Sequence, residues 1–495
     1  MGGSHQSSQV LNASCGPVRG NVYRHNHKLV YGYLGIPYAK PPIGPLRFQK
    51  PVPSDPWQEP RDCYHYGPGC PQSGDFSGLF ASQTFAEDNC LTLNVFVPRP
   101  NSGLLPVMVY IHGGGFETGG SSLLHDYSLS GTLPLRDVIL VTINYRPGPL
   151  GFFVTHNSSG NYGLWDQTLA LQWIQKHIGS FGGDPGNVTI FGTSAGGVSV
   201  DLLTLAHIQI SYSNGLSRVL ERLSRFAEFH GFHEGSESLL QWYQSQPSSL
   251  FSNTKGFNRE ASGFLSFLPN FDGDFFPKPF DQLRREAPAM EAIIITGEYE
   301  GLGWQETMIE SWETLDGFRK AIRKVFGPDI VSNASGVQEM ILEAYTNVPD
   351  PTDKKIMDRK ITEFIGDAWF NTGALDSAKS LAKHGNTVYL GSFNYYHYPS
   401  NHPIKPYFPF EAAAHGADLQ YALGDGGLFE FKPTEEELKM MDRVASYMTV
   451  AKGGFSGKRM LKRPDREKRG ESGRQRFGHE WFITNITTKH ESESK

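Results

Sequence analysis

The chain has 495 residues, a formal net charge of −6 and an ordinary balance of 38% hydrophobic and 19% charged residues, which leaves no basic footprint for nucleic acid over the chain as a whole. No apolar run approaches the roughly 18 residues that a membrane-spanning helix needs. Length alone suggests about three average domains but also suits one large α/β domain, and the 55 glycines and 32 prolines suit many strand-end turns.

The N-terminus, Met1 to Val10, has no apolar signal core, and Gln6 stands where a myristoylation pattern requires Ser or Thr. On the chain as given the expectation is a cytoplasmic protein, or a secreted or lumenal one if the N-terminus is incomplete. Sequons at Asn12, Asn157, Asn187, Asn333 and Asn485 become glycosylation sites only in a secreted chain. Cys15, Cys63, Cys70 and Cys90 allow three pairings if all are oxidised.

Leu105 to Ile111 reads as a buried strand and runs straight into His112-Gly113-Gly114-Gly115-Phe116. Consecutive glycines let a backbone approach a substrate closely and turn its N–H groups inward, the arrangement of an oxyanion hole. The donors expected are the backbone N–H groups of Gly114, Gly115 and Ala195. His112 itself is expected to be structural and not a base. Leu164 to Ile178 has a helical pattern between two strand runs, which indicates a mostly parallel sheet covered on both faces.

Val188 to Phe191 is apolar and β-branched, and it leads into Gly192-Thr193-Ser194-Ala195-Gly196, a G-x-S-x-G pattern followed by a helix-capable segment from Ala195 to Leu205. A strand that turns sharply into a helix admits only small residues beside the serine. It lifts the Ser194 hydroxyl into the open and aims free N–H groups at whatever bonds to it. The pattern alone is weak, but in this setting it reads as the nucleophile elbow of an α/β-hydrolase. A serine also needs a base, and the base needs an orienting acid. Ala292 to Thr296 is another apolar strand; it ends in Gly297-Glu298-Tyr299-Glu300-Gly301, which offers Glu298 and Glu300 as the acid. Of 17 histidines, His415 stands out in a small-residue loop, Ala412 to Asp418, that opens into an amphipathic helix.

From about Gly16 to about Gly424 the chain resembles the type-B carboxylesterases, the family that includes cholinesterases, and above all the gut esterases of nematodes. The resemblance rests on Tyr33-Leu-Gly-Ile-Pro-Tyr-Ala39, Gly44-Pro-Leu-Arg-Phe48 and Glu87-Asp-Asn-Cys-Leu-Thr-Leu-Asn-Val95. Asn144-Tyr-Arg146, Gly160-Asn-Tyr-Gly-Leu-Trp-Asp-Gln167 and Phe181-Gly-Gly-Asp-Pro185 add to it. It implies an α/β-hydrolase fold over residues 1–450, with Ser194, Glu300 and His415 as a catalytic triad and a Cys70–Cys90 disulfide. It also implies ion pairs Arg47–Glu87 and Arg146–Asp166 that support the fold.

Three departures stand out: Thr193 before the nucleophile, the prolines Pro147 and Pro149 around Gly148, and the stretch after the elbow. Between Ser194 and Glu300 the chain is about twenty residues shorter than the resemblance implies, so a core strand near 206–225 is expected to be missing or replaced by Val219 to Leu223.

Lys458 to Arg476 carries nine basic residues against three acidic ones, and 451–495 is expected to be a disordered, solvated tail. The function implied is hydrolysis of carboxylic esters through an acyl-enzyme, with no metal or cofactor and with a small-molecule ester as partner. The alternative is a catalytically impaired interaction protein like the neuroligins, or an inactive truncated isoform.

Overall fold

The computed structural model describes residues 6–486 except 73–84, 88, 155–159, 206–226, 229, 233–237, 253–266, 305–313, 329–330, 398–404, 425–432 and 451–481. The described residues fall into two compact units. The first is drawn from Met1–Asn258, Leu265–Ala287 and Leu419–Lys452, the second from Pro288–Asp418 and Gly453–Lys495.

The first unit is built on a nine-stranded sheet. Its strands are β1 (Gln6–Ser7), β2 (Leu11–Ala13), β3 (Gly16–His25), β4 (Lys28–Pro37), β5 (Arg61–Cys63), β6 (Thr92–Arg99), β7 (Leu105–Ile111), β8 (Ile139–Ile143) and β9 (Gly183–Gly192). The order is β1-β3-β4-β6-β8-β7-β9, with β2 and β5 paired to β3. The sheet is mixed: β3, β4, β6 and β8 run antiparallel in sequence, while β8, β7 and β9 form the parallel part. A parallel sheet needs both faces covered, and its strands then read as unbroken apolar runs. β8 is buried at every position and β7 at all but Pro106. Helix α1 (Tyr162–His177) buries Leu164, Gln167, Ala170, Ile174 and His177, the three-to-four spacing of one helical face.

β9 differs. It pairs with β7 alone among the described residues, and Val188, Ile190 and Phe191 are only half-buried while Thr189 is exposed. Its apolar composition is that of an interior strand. The stretch 206–225, where a core strand was expected to be missing or replaced, lies outside the described residues.

The second unit has a three-stranded sheet in the order β10-β11-β12, made of β10 (Glu291–Gly297), β11 (Thr387–Phe393) and β12 (Phe482–Ile486). β10 and β11 are parallel, so their connection must cross over, and it does so through helices. With α2 reserved for Ala195–Leu205 after the elbow, these are α3 (Leu315–Val325), α4 (Ala334–Thr346), α5 (Lys354–Gly366) and α6 (Thr372–Lys383). Phe318 and Ile322 of α3 pack on Met357, Ile361, Phe364 and Ile365 of α5, and Ala378, Leu381 and Ala382 of α6 pack on Val388, Leu390 and Ile294 of the sheet. β12 comes from the segment expected to be a disordered tail; it lies antiparallel to β11, and the rest of 451–495 lies outside the described residues.

Two buried ion pairs brace the first unit. Arg146 Nε and Nη2 donate to Asp166 at 2.7 and 2.8 Å, and the Arg146 backbone N–H adds a third bond at 3.1 Å. Arg47 Nε and Nη2 donate to Glu87 at 2.6 Å each, with Nη1 on the carbonyls of Tyr243 and Gln244. Charges taken out of water this fully are stable only while paired, and removing one partner strands the other. Arg146→Met is therefore expected to cost about 3–5 kcal/mol in urea denaturation, and Arg146→Met with Asp166→Asn to recover a large part of it. A loss below about 1 kcal/mol in the single variant would show that the pair carries no such strain.

Candidate active site

The end of β9 and the start of α2 form a tight elbow. Ser194 has φ +59°, a left-handed conformation that a non-glycine residue adopts only when its surroundings enforce it. The Gly196 N–H bonds to the Thr193 carbonyl at 2.9 Å, and the Val198 N–H to the Ser194 carbonyl at 3.0 Å, so the helix begins at the serine. The glycines on either side are sterically obligatory. A methyl group on Gly192 would stand 2.5 Å from the Gly196 carbonyl carbon and 2.7 Å from the Ile111 carbonyl oxygen, and one on Gly196 would overlap that same oxygen. Elbow and β7 therefore touch backbone to backbone.

That contact places the glycine loop. Gly113 directly follows β7 and its neighbour His112, and a methyl group on it would sit 2.6 Å from the Thr193 carbonyl oxygen and 3.0 Å from Ser194 Cβ. Beyond it Gly114 has φ +109°, Gly115 φ +63° and Phe116 φ +60°. The loop is closed on itself by the Gly114 carbonyl, which accepts from the N–H groups of Glu117 at 3.1 Å and Thr118 at 3.0 Å. Gly148, held between Pro147 and Pro149, adopts φ +56° and donates its N–H to the Phe116 carbonyl at 2.6 Å. The proline departure noted in the sequence thus contributes a fixed donor to the loop's far side. Ala195, the first residue of α2, is buried.

His112 is buried, and its ring stacks on Tyr145 with centroids 4.2 Å apart. Its Nδ1 lies 2.8 Å from the Gly113 carbonyl, while Tyr145 Oη donates to the His112 carbonyl at 3.0 Å. Burial pushes the imidazole from an ordinary 6.5 down to about 4, with the Gly113 carbonyl opposing part of that shift. Neutral and enclosed, it is a structural group, and Nδ1 must carry the proton to satisfy the carbonyl.

The second unit holds the acid and a histidine together. His415 Nδ1 lies 2.5 Å from Glu300 Oε2, and the other carboxylate oxygen accepts from the Gly297 N–H at the end of β10. Glu300 is buried, whereas Glu298 is exposed, its own N–H bonded to the Phe393 carbonyl at 3.0 Å. Of the two glutamates left open by the residue pattern, only Glu300 reaches the imidazole. Tyr299 between them anchors the turn by donating its N–H to the Ala413 carbonyl at 2.9 Å, which ties the β10 end to the loop carrying His415. Gly301 has no room for a side chain, because a Cβ would overlap the Thr362 carbonyl of α5.

One group here was not legible in the sequence. The helix from Lys354 to Lys383 is interrupted at Asp367–Asn371 by a π-helical turn, a one-residue insertion that re-aims side chains and recurs at functional sites. It sets the Phe370 ring 4.2 Å from the His415 ring, and Trp304 approaches edge-on at 6.0 Å. No motif or spacing around Phe370 points to His415, which lies 45 positions further along the chain.

Cys70 and Cys90 form a disulfide, while Cys15 and Cys63 are free and buried. Burial pushes the Cys15 thiol up to about 11 and the Cys63 thiol to about 12, so neither is a ready nucleophile. No helix among the described residues is long and apolar enough to cross a membrane.

Comparison with known proteins points to one family. The model of the carboxylesterase family matches residues 7–455. An esterase of Caenorhabditis elegans, cest-33, is 48% identical over 91% of this chain and 86% of its own length. The para-nitrobenzyl esterase of Bacillus subtilis is 30% identical over 90% of each chain, and the cholinesterase of Mus musculus is 30% identical over 86% of this chain and 75% of its own.

The depressed value of His112 sets a pH dependence. The native state holds the neutral ring, so its contribution is complete above pH 6.5 and is lost as pH falls from there through about 4. Over that range it amounts to on the order of 3 kcal/mol. His112→Phe, which keeps the stack on Tyr145, is expected to lower stability at neutral pH but to flatten the acid limb of a urea-denaturation series. Parallel acid limbs in the two proteins would remove His112 from the account.

Proposed function

The chain belongs to the carboxylesterase family and is a carboxylic ester hydrolase, and we propose that it works through an acyl-enzyme formed on Ser194 with His415 as base and Glu300 as its orienting acid. The observation that carries this reading is the buried Glu300 carboxylate at 2.5 Å from His415 Nδ1, taken with the strained Ser194 elbow. With Nδ1–H held by the carboxylate, Nε2 is left as the acceptor, the tautomer a general base needs.

The Ser194 hydroxyl attacks the ester carbonyl carbon while His415 Nε2 takes its proton. The carbonyl oxygen becomes an oxyanion, stabilised by the backbone N–H groups of Gly114, Gly115 and Ala195, which are fixed before charge develops. Glu300 stabilises the imidazolium without itself taking the proton. When the tetrahedral intermediate collapses, the C–O bond to the alcohol breaks and His415 protonates the departing oxygen. Water, deprotonated by His415, then attacks the acyl-serine, and the acid leaves as Ser194 recovers its proton.

Ser194→Ala is expected to lower kcat on p-nitrophenyl butyrate by at least about 10⁴-fold, leaving the residual catalysis that binding and oxyanion donors supply. Glu300→Gln should lose about 10⁴-fold, and Glu298→Gln should retain most activity. A fluorophosphonate probe should add to Ser194 and to no other residue. Near wild-type turnover by the alanine variant, or the reverse ranking of the glutamates, would overturn the assignment.

The substrates we propose are esters with neutral acyl and alcohol groups. A quaternary ammonium is held best over a tryptophan face, a contact of about 1–2 kcal/mol when desolvated. The loop between the bridged cysteines, Pro71 to Asn89, contains Phe76, Phe80 and Phe85 but no tryptophan; the first two lie outside the described residues, and Phe85 is exposed. The specificity constant for p-nitrophenyl acetate should exceed that for acetylthiocholine by at least about tenfold. Equal values would place a cation site elsewhere in the chain.

A further inference from the structure

The Cys70–Cys90 disulfide lies at the root of a hydrogen-bond chain that ends on the glycine loop. Gln72 follows Cys70 by two residues and is 3% exposed. Its Nε2 donates to the Cys70 carbonyl at 3.0 Å and to the Gly119 carbonyl at 2.7 Å, and its Oε1 accepts from the Gly119 N–H at 2.6 Å. The side-chain amide thus grips both polar groups of Gly119, as a neighbouring strand would. Gly119 has φ +118°, and a Cβ there would overlap His112 Nδ1 and the Gly113 carbonyl. The gripped peptide therefore lies flat against the group that orients the Gly113 carbonyl.

In a trans peptide the C=O and the following N–H point in opposite directions. Fixing the Gly113 carbonyl against His112 Nδ1 consequently fixes where the Gly114 N–H points. Gln72 secures the far end of the same loop, and Asn144 repeats the pattern from the other cysteine. Asn144 Nδ2 donates to the Cys90 carbonyl at 3.0 Å, and its Oδ1 accepts from the Ser121 N–H at 2.8 Å. Both bridged cysteines are thus linked through one amide side chain to the segment Gly119–Ser121.

We infer that Gln72 is a positioning residue for the oxyanion donors, and that the disulfide acts on turnover through it. The inference rests on the assignment of Gly114 and Gly115 as donors. An oxyanion hole works because its donors are fixed before charge develops, and single donors are worth about 10²–10³ in kcat. A loop released at Gly119 keeps its donors but not their aim. The cost falls on the transition state and spares ground-state binding, so kcat drops while KM holds.

The test uses Gln72→Met, which keeps length and apolar packing while removing all three hydrogen bonds, and Gln72→Glu, which keeps only the acceptor for the Gly119 N–H. Active sites are counted with a fluorophosphonate, so that a variant is compared per labelled serine. Both variants are expected to lose about 10–100-fold in kcat on p-nitrophenyl butyrate with KM within about threefold. Affinity for an aryl trifluoromethyl ketone, whose adduct with the serine carries an oxyanion, should fall by a similar factor. In the Cys70→Ser/Cys90→Ser variant kcat should fall too, and adding Gln72→Met to it should cost less than in the bridged protein. If Gln72→Met fails to fold, the cysteine variant and Gln72→Glu give the same readings. Wild-type kcat and ketone affinity in labelled Gln72→Met or Gln72→Glu would overturn the proposal, as would a fall in melting temperature alone. Failure of the triad assignment is a separate result, seen when wild-type protein is not labelled at Ser194 or when Ser194→Ala still turns over.

Discussion

The first unit depends on two backbones being allowed to touch. The end of β7 and the turn between β9 and α2 meet at Ile111, Gly113, Gly192 and Gly196, where side chains would collide with carbonyl groups. Glycine removes the obstacle but adds conformational freedom that the fold must then take away. The freedom is taken away by hydrogen bonds: Thr118 to Gly114, Gly148 to Phe116 and Gln72 to Gly119. The Ser194 elbow and the glycine loop are thereby positioned against each other.

Burial of charge is the second organising condition. Asp166, Glu87 and Glu300 are all shielded from water, and each meets a partner with near-ideal geometry. Two of the partners are arginines, whose planar forks match a carboxylate in two places at once. The third is a histidine, which meets the carboxylate through Nδ1 alone. The same physical arrangement therefore supports the fold in two places and, in the mechanism we propose, leaves His415 Nε2 as the proton acceptor in the third. The histidine beside the glycine loop, His112, is excluded from that role by burial, which keeps it neutral, and by its bond to the Gly113 carbonyl.

The sheets show where local sequence and global order part. β9 and β10 are both composed like interior strands, yet each ends its sheet among the described residues. The mixture of directions in the first unit also follows from connections, because short turns join β3 to β4 and force them antiparallel, while β7, β8 and β9 are joined through helices and run parallel. Composition carries no information about which neighbour a strand will take.

By itself the sequence determined the parts whose logic is local. Val188 to Phe191 running into Gly192 to Gly196 can be read as a strand turning into a helix, because only small residues survive that turn; Leu105 to Ile111 running into glycines has the same character. Family blocks carried the pairings of Arg47 with Glu87, Arg146 with Asp166 and Cys70 with Cys90, all of which the structure forms. They also favoured Glu300 over Glu298, although the two are equivalent as residues at a strand end, and the structure sets Glu300 against His415 and leaves Glu298 exposed. What only the tertiary structure decided is the set of contacts that no motif marks. Phe370 reaches His415 through a π-turn, and Gln72 reaches Gly119, 47 positions further along the chain. Neither has a periodicity or motif, because a contact between distant segments is selected by shape and by the cost of burying an unpaired polar group, and both are properties of the folded chain.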